Sequence, residues 1–290
     1  MLGFRPLMIM TGRPRQRTGS TRLPFLYCIG IAAVFVALSA CGKSRGGAHT
    51  ELLTLAGSTS VQPFAEKLAE TYMAANPGVA INVQGGGSTA GVRAAQTGAA
   101  QIGMSSRHLK PAESDLLQYT IANDGIAIIV NVDNPVTGLT RGQVADIFAG
   151  EVPSWSAVGG RDHAIHYVTR EEGSGTRGAF EEIVMGERRV SPRSLVQDSN
   201  GAVREIVASD RNAVGYISLG LVDSRVRALA IDGVAPSREA IGERRYAVAR
   251  PFLFLSREEP VGTARAFVDF VLSPEGQAEL AREGLIGGGE

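Results

Sequence analysis

The sequence predicts a two-lobed α/β protein whose lobes are joined by a pair of hinge strands. Three observations carry this. Extended apolar runs alternate with helical patterns along nearly the whole chain, which is the signature of layered α/β folds. Four of the predicted strands end in clusters of glycine, serine and threonine, at 57–60, 85–89, 103–107 and 173–176. The two longest extended apolar runs, 121–130 and 246–256, lie far apart in sequence and read as strands crossing twice between the lobes.

The first 41 residues stand apart. Arg5, Arg13, Arg15, Arg17 and Arg22 are their only charged side chains, and they precede an apolar run from about Leu23 to Leu38. That run is short for a membrane span and has the shape of a signal peptide. It ends in Leu38-Ser39-Ala40-Cys41, which resembles the bacterial lipobox, so Cys41 is expected to carry lipid; an uncleaved signal anchor is the alternative. Cys28 would leave with the leader, and a disulfide framework is then excluded. Lys+Arg and Asp+Glu balance at 29 each, and removing the five leader arginines leaves 24 against 29, or about −5. A net acidic chain without a basic run does not suit nucleic acid.

Residues 42–50 form a polar tether. Leu52 to Ala56 is a strand, Gly57-Ser58-Thr59-Ser60 a turn, and Val61 to Ala75 a helix with Phe64, Leu68 and Tyr72 on one face. Val79 to Val83 alternates as the next strand and runs through Gly85-Gly86-Gly87-Ser88-Thr89 into a helix over about 90–97. A short strand then ends in Ser105-Ser106-Arg107. Ligands of open α/β sheets bind outside the carboxyl ends of strands, so four such loops predict a cleft lined by hydroxyls and N–H groups.

Gly125 to Val130 is a continuous apolar strand and Thr140 to Phe148 a helix. The loop over 152–160 holds Trp155, expected as a hydrophobic plug. His163 and His166 have metal-like spacing, but alternation would turn them to opposite sides of a strand, so no metal site is expected there.

Arg170-Glu171-Glu172-Gly173-Ser174-Gly175-Thr176-Arg177 is the stretch the rest serves. It joins the strand Ala164 to Val168 to a helix over 176–185. Ser174, Gly175 and Thr176 put hydroxyls and N–H groups at a helix N-terminus, and Arg170 can turn its planar fork to the same point. A small oxyanion fits there. Gly173, Gly175 and Gly178 also spell the dinucleotide pattern G-x-G-x-x-G, but Asp198-Ser199-Asn200-Gly201, where a ribose-binding acid would stand, reads as a turn and not a strand end. An ordinary capped helix would also explain this stretch taken alone. Further on, Ser199 to Ala208 is a helix, Asn212 to Ser218 a strand, and Gly262 to Leu272 and Pro274 to Glu283 are helices returning to the first lobe.

Read together, Gly57 to Pro63, Gly85 to Ser88, Ile102 to Arg107, Asp124 to Ala127, Ile147 to Glu151, Trp155, Arg170 with Gly173 to Thr176, and Val214 to Ile217 resemble the phosphate-binding lipoproteins and periplasmic proteins of phosphate ABC importers. The resemblance covers about 52–285. It implies a periplasmic-binding-protein fold that captures inorganic phosphate between its lobes, delivers it to ABC permease subunits, and sits as a monomer on the extracytoplasmic membrane face through Cys41. It calls for no cofactor, no metal and no nucleic acid. The expected boundaries are 1–41 leader, 42–50 tether, 51–123 and 248–290 first lobe, and 124–247 second lobe. The implied phosphate ligands are Thr59, Ser60 and Ser88 from one side, with Arg170, Ser174, Gly175 and Thr176 opposite, and Ser106, Arg107 and Asp124 complete the expected set. At the position of Ser106 family members can have an aspartate that accepts the proton of hydrogen phosphate and so excludes sulfate. Here Ser106 and Arg107 stand instead, and Asp124 is the nearest candidate acceptor, or else a turn-stabilising carboxylate. Sulfate, molybdate or tungstate binding and a sensor without transport are the rival readings. An enzyme is disfavoured: no G-x-S-x-G elbow, Walker loop or H-E-x-x-H occurs, and His108, His163 and His166 adjoin no nucleophile turn.

Overall fold

The computed structural model describes residues 50–288 of the 290-residue chain. The leader, most of the tether and Cys41 lie outside the described residues. In chain order the elements are β1 (Glu51–Gly57), α1 (Gln62–Ala75), β2 (Val79–Gln84), α2 (Ser88–Thr97), β3 (Ile102–Ser105) and the long β4 (Leu117–Asn131). Then come β5 (Gly138–Leu139), α3 (Arg141–Ala149), β6 (His166–Arg170), α4 (Gly175–Phe180), β7 (Leu195–Gln197), α5 (Asn200–Ser209) and β8 (Ala213–Ser218). The chain ends through β9 (Val226–Ala228), β10 (Ala230–Ile231), α6 (Arg238–Gly242), β11 (Ala249–Ser256), α7 (Gly262–Leu272), α8 (Pro274–Arg282) and β12 (Ile286–Gly287).

The main sheet runs β2-β1-β3-β11-β4-β8-β6-β7, with β12 and β9 pairing β4 off that path. Strands joined by helices pair in parallel: β1 with β2 and β3, β6 with β7 and β8. β4 and β11 pair antiparallel from Ala249 opposite Gly125 to Ser256 opposite Leu117, with a bulge between Phe252 and Leu253. β4 outruns this pairing, and its second half turns to β8 and β9. One 15-residue strand therefore belongs to both halves of the sheet.

Helices cover the sheet on both faces, which is why its central strands are apolar at consecutive positions instead of alternating. Along β4, Ile126, Ile128 and Val130 enter one core with Phe148, Trp155, Phe180, Tyr216 and Val248, while Ala127 and Ile129 enter another with Val168, Val203 and Val207. A further core joins Leu53, Leu55, Phe64, Leu68 and Ile121 to Phe252, Phe254, Phe267, Val271 and Leu280. Residues before 123 and after 251 thus share this core and a smaller one of Val92, Ala95, Leu116, Leu253 and Leu255, and residues between them supply nearly all of the other two.

The helix over 176–185 is an α-turn followed by a π-turn at Glu181–Met185, ended by Gly186 at a positive φ of 61°. Asp198 follows a strand end after all, since Leu195–Gln197 pairs with β6. That strand is three residues long with Leu195 and Val196 exposed, too short for an alternation to register. Trp155 is buried, and its indole N–H reaches the Asn212 carbonyl at 2.9 Å. His163 and His166 are both exposed; His166 pairs with Asp210. No metal-binding group of His, Cys, Asp and Glu occurs among the described residues, and no helix among them is long and apolar enough to cross a membrane.

Candidate functional site

All four Gly/Ser/Thr loops meet at one point of the sheet's carboxyl edge. Gly87 has φ 87°, and a Cβ there would sit 2.7 Å from the Gly173 carbonyl oxygen. The close approach lets Thr89 N–H donate to that oxygen at 3.1 Å, so the 85–89 loop touches the 173–176 loop through main chain. Ser174 caps α4, accepting from Arg177 N–H at 3.3 Å. Gly175 then packs so tightly that a Cβ on it would lie 2.0 Å from Ser88 Oγ and 2.5 Å from Ser106 Oγ.

Arg170 is fully buried at the end of β6. Its Nε and Nη2 lie 3.0 Å from the two carboxylate oxygens of Glu171. Nη2 also donates to the Asp198 carbonyl at 3.0 Å and to Thr59 Oγ1 at 2.9 Å, and Nε to the Gln197 carbonyl at 3.2 Å. Nη1 is buried and has no partner. Beneath it, Tyr216 on β8 stacks on Phe180 with centroids 4.1 Å apart, and its hydroxyl contacts Thr169 at 2.7 Å and accepts from Arg170 N–H at 3.4 Å. Burial pushes the Tyr216 hydroxyl up to about 12, so it stays a neutral support for the strand that aims Arg170.

The hydroxyls of the four loops crowd together. Ser60 Oγ is 2.6 Å from Thr176 Oγ1, Ser106 Oγ is 2.8 Å from Ser58 Oγ and 3.4 Å from Ser88 Oγ, and Ser106 N–H donates to Ser88 Oγ at 3.0 Å. Ser58, Ser60, Ser88, Ser106, Ser174 and Thr176 are all at most 2 % exposed. A buried cation with one free nitrogen among convergent hydroxyls can strip water from a small oxyanion and replace its hydration with fixed donors.

Two expected ligands are otherwise engaged. Arg107 is buried, not a cation at the cleft rim. Both of its terminal nitrogens bind Glu113, at 2.7 and 2.9 Å, and Nη1 also reaches the His108 carbonyl at 2.8 Å. The Arg107 hydrogen bonds hold the Glu113 carboxyl below the ordinary carboxylate range. Asp124 is likewise buried, with Oδ2 facing Arg250 Nε and Nη2 at 3.2 and 3.0 Å and Oδ1 accepting from Ser218 Oγ at 2.8 Å. Burial raises the Asp124 pKa and lowers that of Arg250, against the attraction between them. Arg250 Nη1 donates in addition to the Ser106 carbonyl at 3.1 Å.

A family model described as the PBP superfamily domain matches residues 42–275. The chain is 31% identical over 236 residues to the phosphate-binding protein PstS of Bacillus subtilis, covering 80% of this chain and 78% of that one. The chain belongs to the PstS branch of the PBP superfamily. Its fold is that of a solved Clostridium perfringens protein assigned as a phosphate ABC transporter substrate-binding protein with bound phosphate, at 41% identity and TM-score 0.79 over 82% of this chain and 99% of that one. An ABC-type phosphate transport receptor from Vibrio cholerae matches at 38% identity and TM-score 0.71, over 82% of this chain and all of its own.

Within this PstS chain, sequence reasoning missed four residues. Ser58 bonds Ser106; Asn200 Nδ2 donates to Ser60 Oγ at 2.9 Å; Ser218 and Arg250 enclose Asp124. Asn200 opens α5 directly after the capping Ser199, and a second strand-to-helix turn over 198–200 was the available signal. Arg250 carried none, standing inside an apolar run.

Proposed function

We infer that this chain captures inorganic phosphate outside the cytoplasm and delivers it to an ABC importer, binding without turnover. The observation that carries this is the convergence of the buried hydroxyls of Ser60, Ser88, Ser106, Ser174 and Thr176 with a fully buried Arg170, whose Nη2 reaches Thr59 and whose Nη1 has no partner. Phosphate is the ligand named for the relatives in Bacillus subtilis and Clostridium perfringens. Hydrogen bonds to a charged group contribute about 1.5–3 kcal/mol each. Several of them, set against desolvation, are enough for a net ~8 kcal/mol or more, which is micromolar binding or tighter. Calorimetry of the purified chain with phosphate tests this; the absence of heat and of displacement at millimolar phosphate would refute it.

The ligand set we assign is Thr59, Ser60, Ser88, Ser106, Arg170, Ser174, Gly175 and Thr176, with Arg107 and Asp124 moved to supporting positions. The shared cores support a first lobe of 51–123 with the C-terminal part of the chain and a second lobe between them, although Val248, expected to open the returning part, packs with the second. The lipobox-like Leu38 to Cys41 supports anchoring on the membrane by lipid on Cys41. Cys41→Ser should release the protein from membrane fractions, because a multiply acylated cysteine is then lost. Retention of that variant would mean an uncleaved anchor.

A further inference from the structure

We propose that the site presents hydroxyl and guanidinium hydrogens and no carboxylate to its ligand, the hydroxyls oriented from behind by Ser58, Asn200 and Arg170, so that it admits sulfate alongside phosphate. The inference rests on the phosphate reading above and adds which anions that site accepts.

The direction of each hydroxyl follows from what stands behind it. Ser58 Oγ accepts the N–H groups of Ser60 and Val61, at 3.2 and 3.3 Å, so its own hydrogen goes to Ser106 Oγ. Asn200 Oδ1 accepts Ser218 N–H at 3.2 Å, which fixes the amide and sends Nδ2–H to Ser60 Oγ. Thr59 Oγ1 faces Nη2 of Arg170, a guanidinium that can only donate. Ser88 Oγ accepts Ser106 N–H. Thr59, Ser60, Ser88 and Ser106 therefore each accept from the protein; Thr59 keeps its hydrogen for the cleft, and Ser88 and Ser106, 3.4 Å apart, keep at least one between them. Ser60 and Thr176 share one hydrogen across their 2.6 Å contact and leave the other free. Arg170 Nη1 adds its own hydrogens.

The nearby carboxylates are engaged elsewhere: Glu171 holds Arg170, and Asp124 holds Arg250 and Ser218. Near neutral pH phosphate keeps a proton and sulfate keeps none. A carboxylate aimed into the cleft would accept that proton and repel a sulfate oxygen, which is how a site selects against an isostere. Hydroxyls exert no such repulsion. Each retains a second lone pair, enough to take the phosphate proton, so phosphate binds as well.

The test is competition calorimetry on the purified full chain, at a pH above the second ionisation of phosphate, where both anions carry two charges. Sulfate should displace phosphate with an affinity within about a hundredfold of it. Phosphate binding with sulfate weaker than that would overturn the proposal, whereas no phosphate binding at all would refute the underlying reading instead. Asn200→Asp supplies the second arm. A carboxylate there still accepts Ser218 N–H but turns the Ser60 hydrogen backward, so a lone pair faces the ligand. Sulfate affinity should then fall at least about tenfold more than phosphate affinity. Equal losses for the two anions would end the orienting role of Asn200, and the wild-type competition stands even if this variant folds poorly.

Discussion

Arg170 is the residue on which binding turns. Its Nε and Nη2 are satisfied by Glu171, Thr59 and two main-chain carbonyls, so the fork is held rigid while Nη1 stays buried without a partner. Arg170→Ala should therefore weaken phosphate binding by about 3–5 kcal/mol, since it leaves an anion in a dry site without its cation. Arg107→Ala should leave affinity within about tenfold and lower stability instead, because Arg107 is tied to Glu113. Calorimetry and denaturant unfolding of both variants separate the two roles. Equal losses of affinity would mean that the anion sits elsewhere. Arg107 directly follows a serine and Arg170 precedes one by four residues; what tells them apart is that Glu113 takes both terminal nitrogens of Arg107, whereas Arg170 keeps Nη1 without a partner.

Two elements act as tight joints. The first is the N-terminus of α4, where Gly175 lies against Ser88 and Ser106 from the other side of the site. Gly175→Ala puts a methyl group 2.8 Å from Ser88 Cβ, an atom that cannot swing aside. Overpacking of this kind costs about 1–3 kcal/mol. The cost should fall on the closed, ligand-bound arrangement, so phosphate affinity should drop about tenfold or more while the unliganded melting temperature changes little. A large fall in melting temperature with unchanged affinity would place the strain outside the site. The second joint is the short turn Pro111–Glu113, fastened by Arg107. Because Arg107 lowers the Glu113 pKa, the pair stabilises the fold above the pH where a free glutamate titrates, about 4.3. That contribution disappears as the pH falls through the lowered value. Glu113→Gln should lower stability at neutral pH and flatten its loss on acidification, as read from denaturant midpoints against pH.

At the scale of the whole molecule, β4 and β11 join the two halves of the sheet, and their register sets Arg250 directly opposite Asp124. The pair is tied to Ser106 through its carbonyl and to Ser218, whose N–H holds Asn200. A continuous polar path thus runs from the crossing strands to Ser60 and Thr176 in the site. Removing one partner of a buried ion pair costs about 3–5 kcal/mol. Asp124→Asn should therefore destabilise the folded chain by a large part of that amount and shift the phosphate-to-sulfate ratio less than about threefold. Urea unfolding and anion competition measure the two effects. A ratio that moves tenfold would return Asp124 to the role of proton acceptor.

Local chemistry was legible without a structure. Strand and helix periods repeat within about four residues, and the turns at 57–60, 85–89 and 173–176 announce themselves by residues whose backbone and hydroxyl preferences act over the same short range. Arg170, Ser88 and Thr176 could be named from such turns. What the tertiary structure decided is which groups face each other across long separations. Asp124 and Arg250 are 126 residues apart, and Asn200 and Ser60 are 140. No period in the chain links them, because the pairing of β4 with β11 and the stacking of helices on the sheet set those contacts. The same holds for the direction of each hydroxyl: a serine in sequence is donor and acceptor alike, and only the groups behind it in the fold choose between the two.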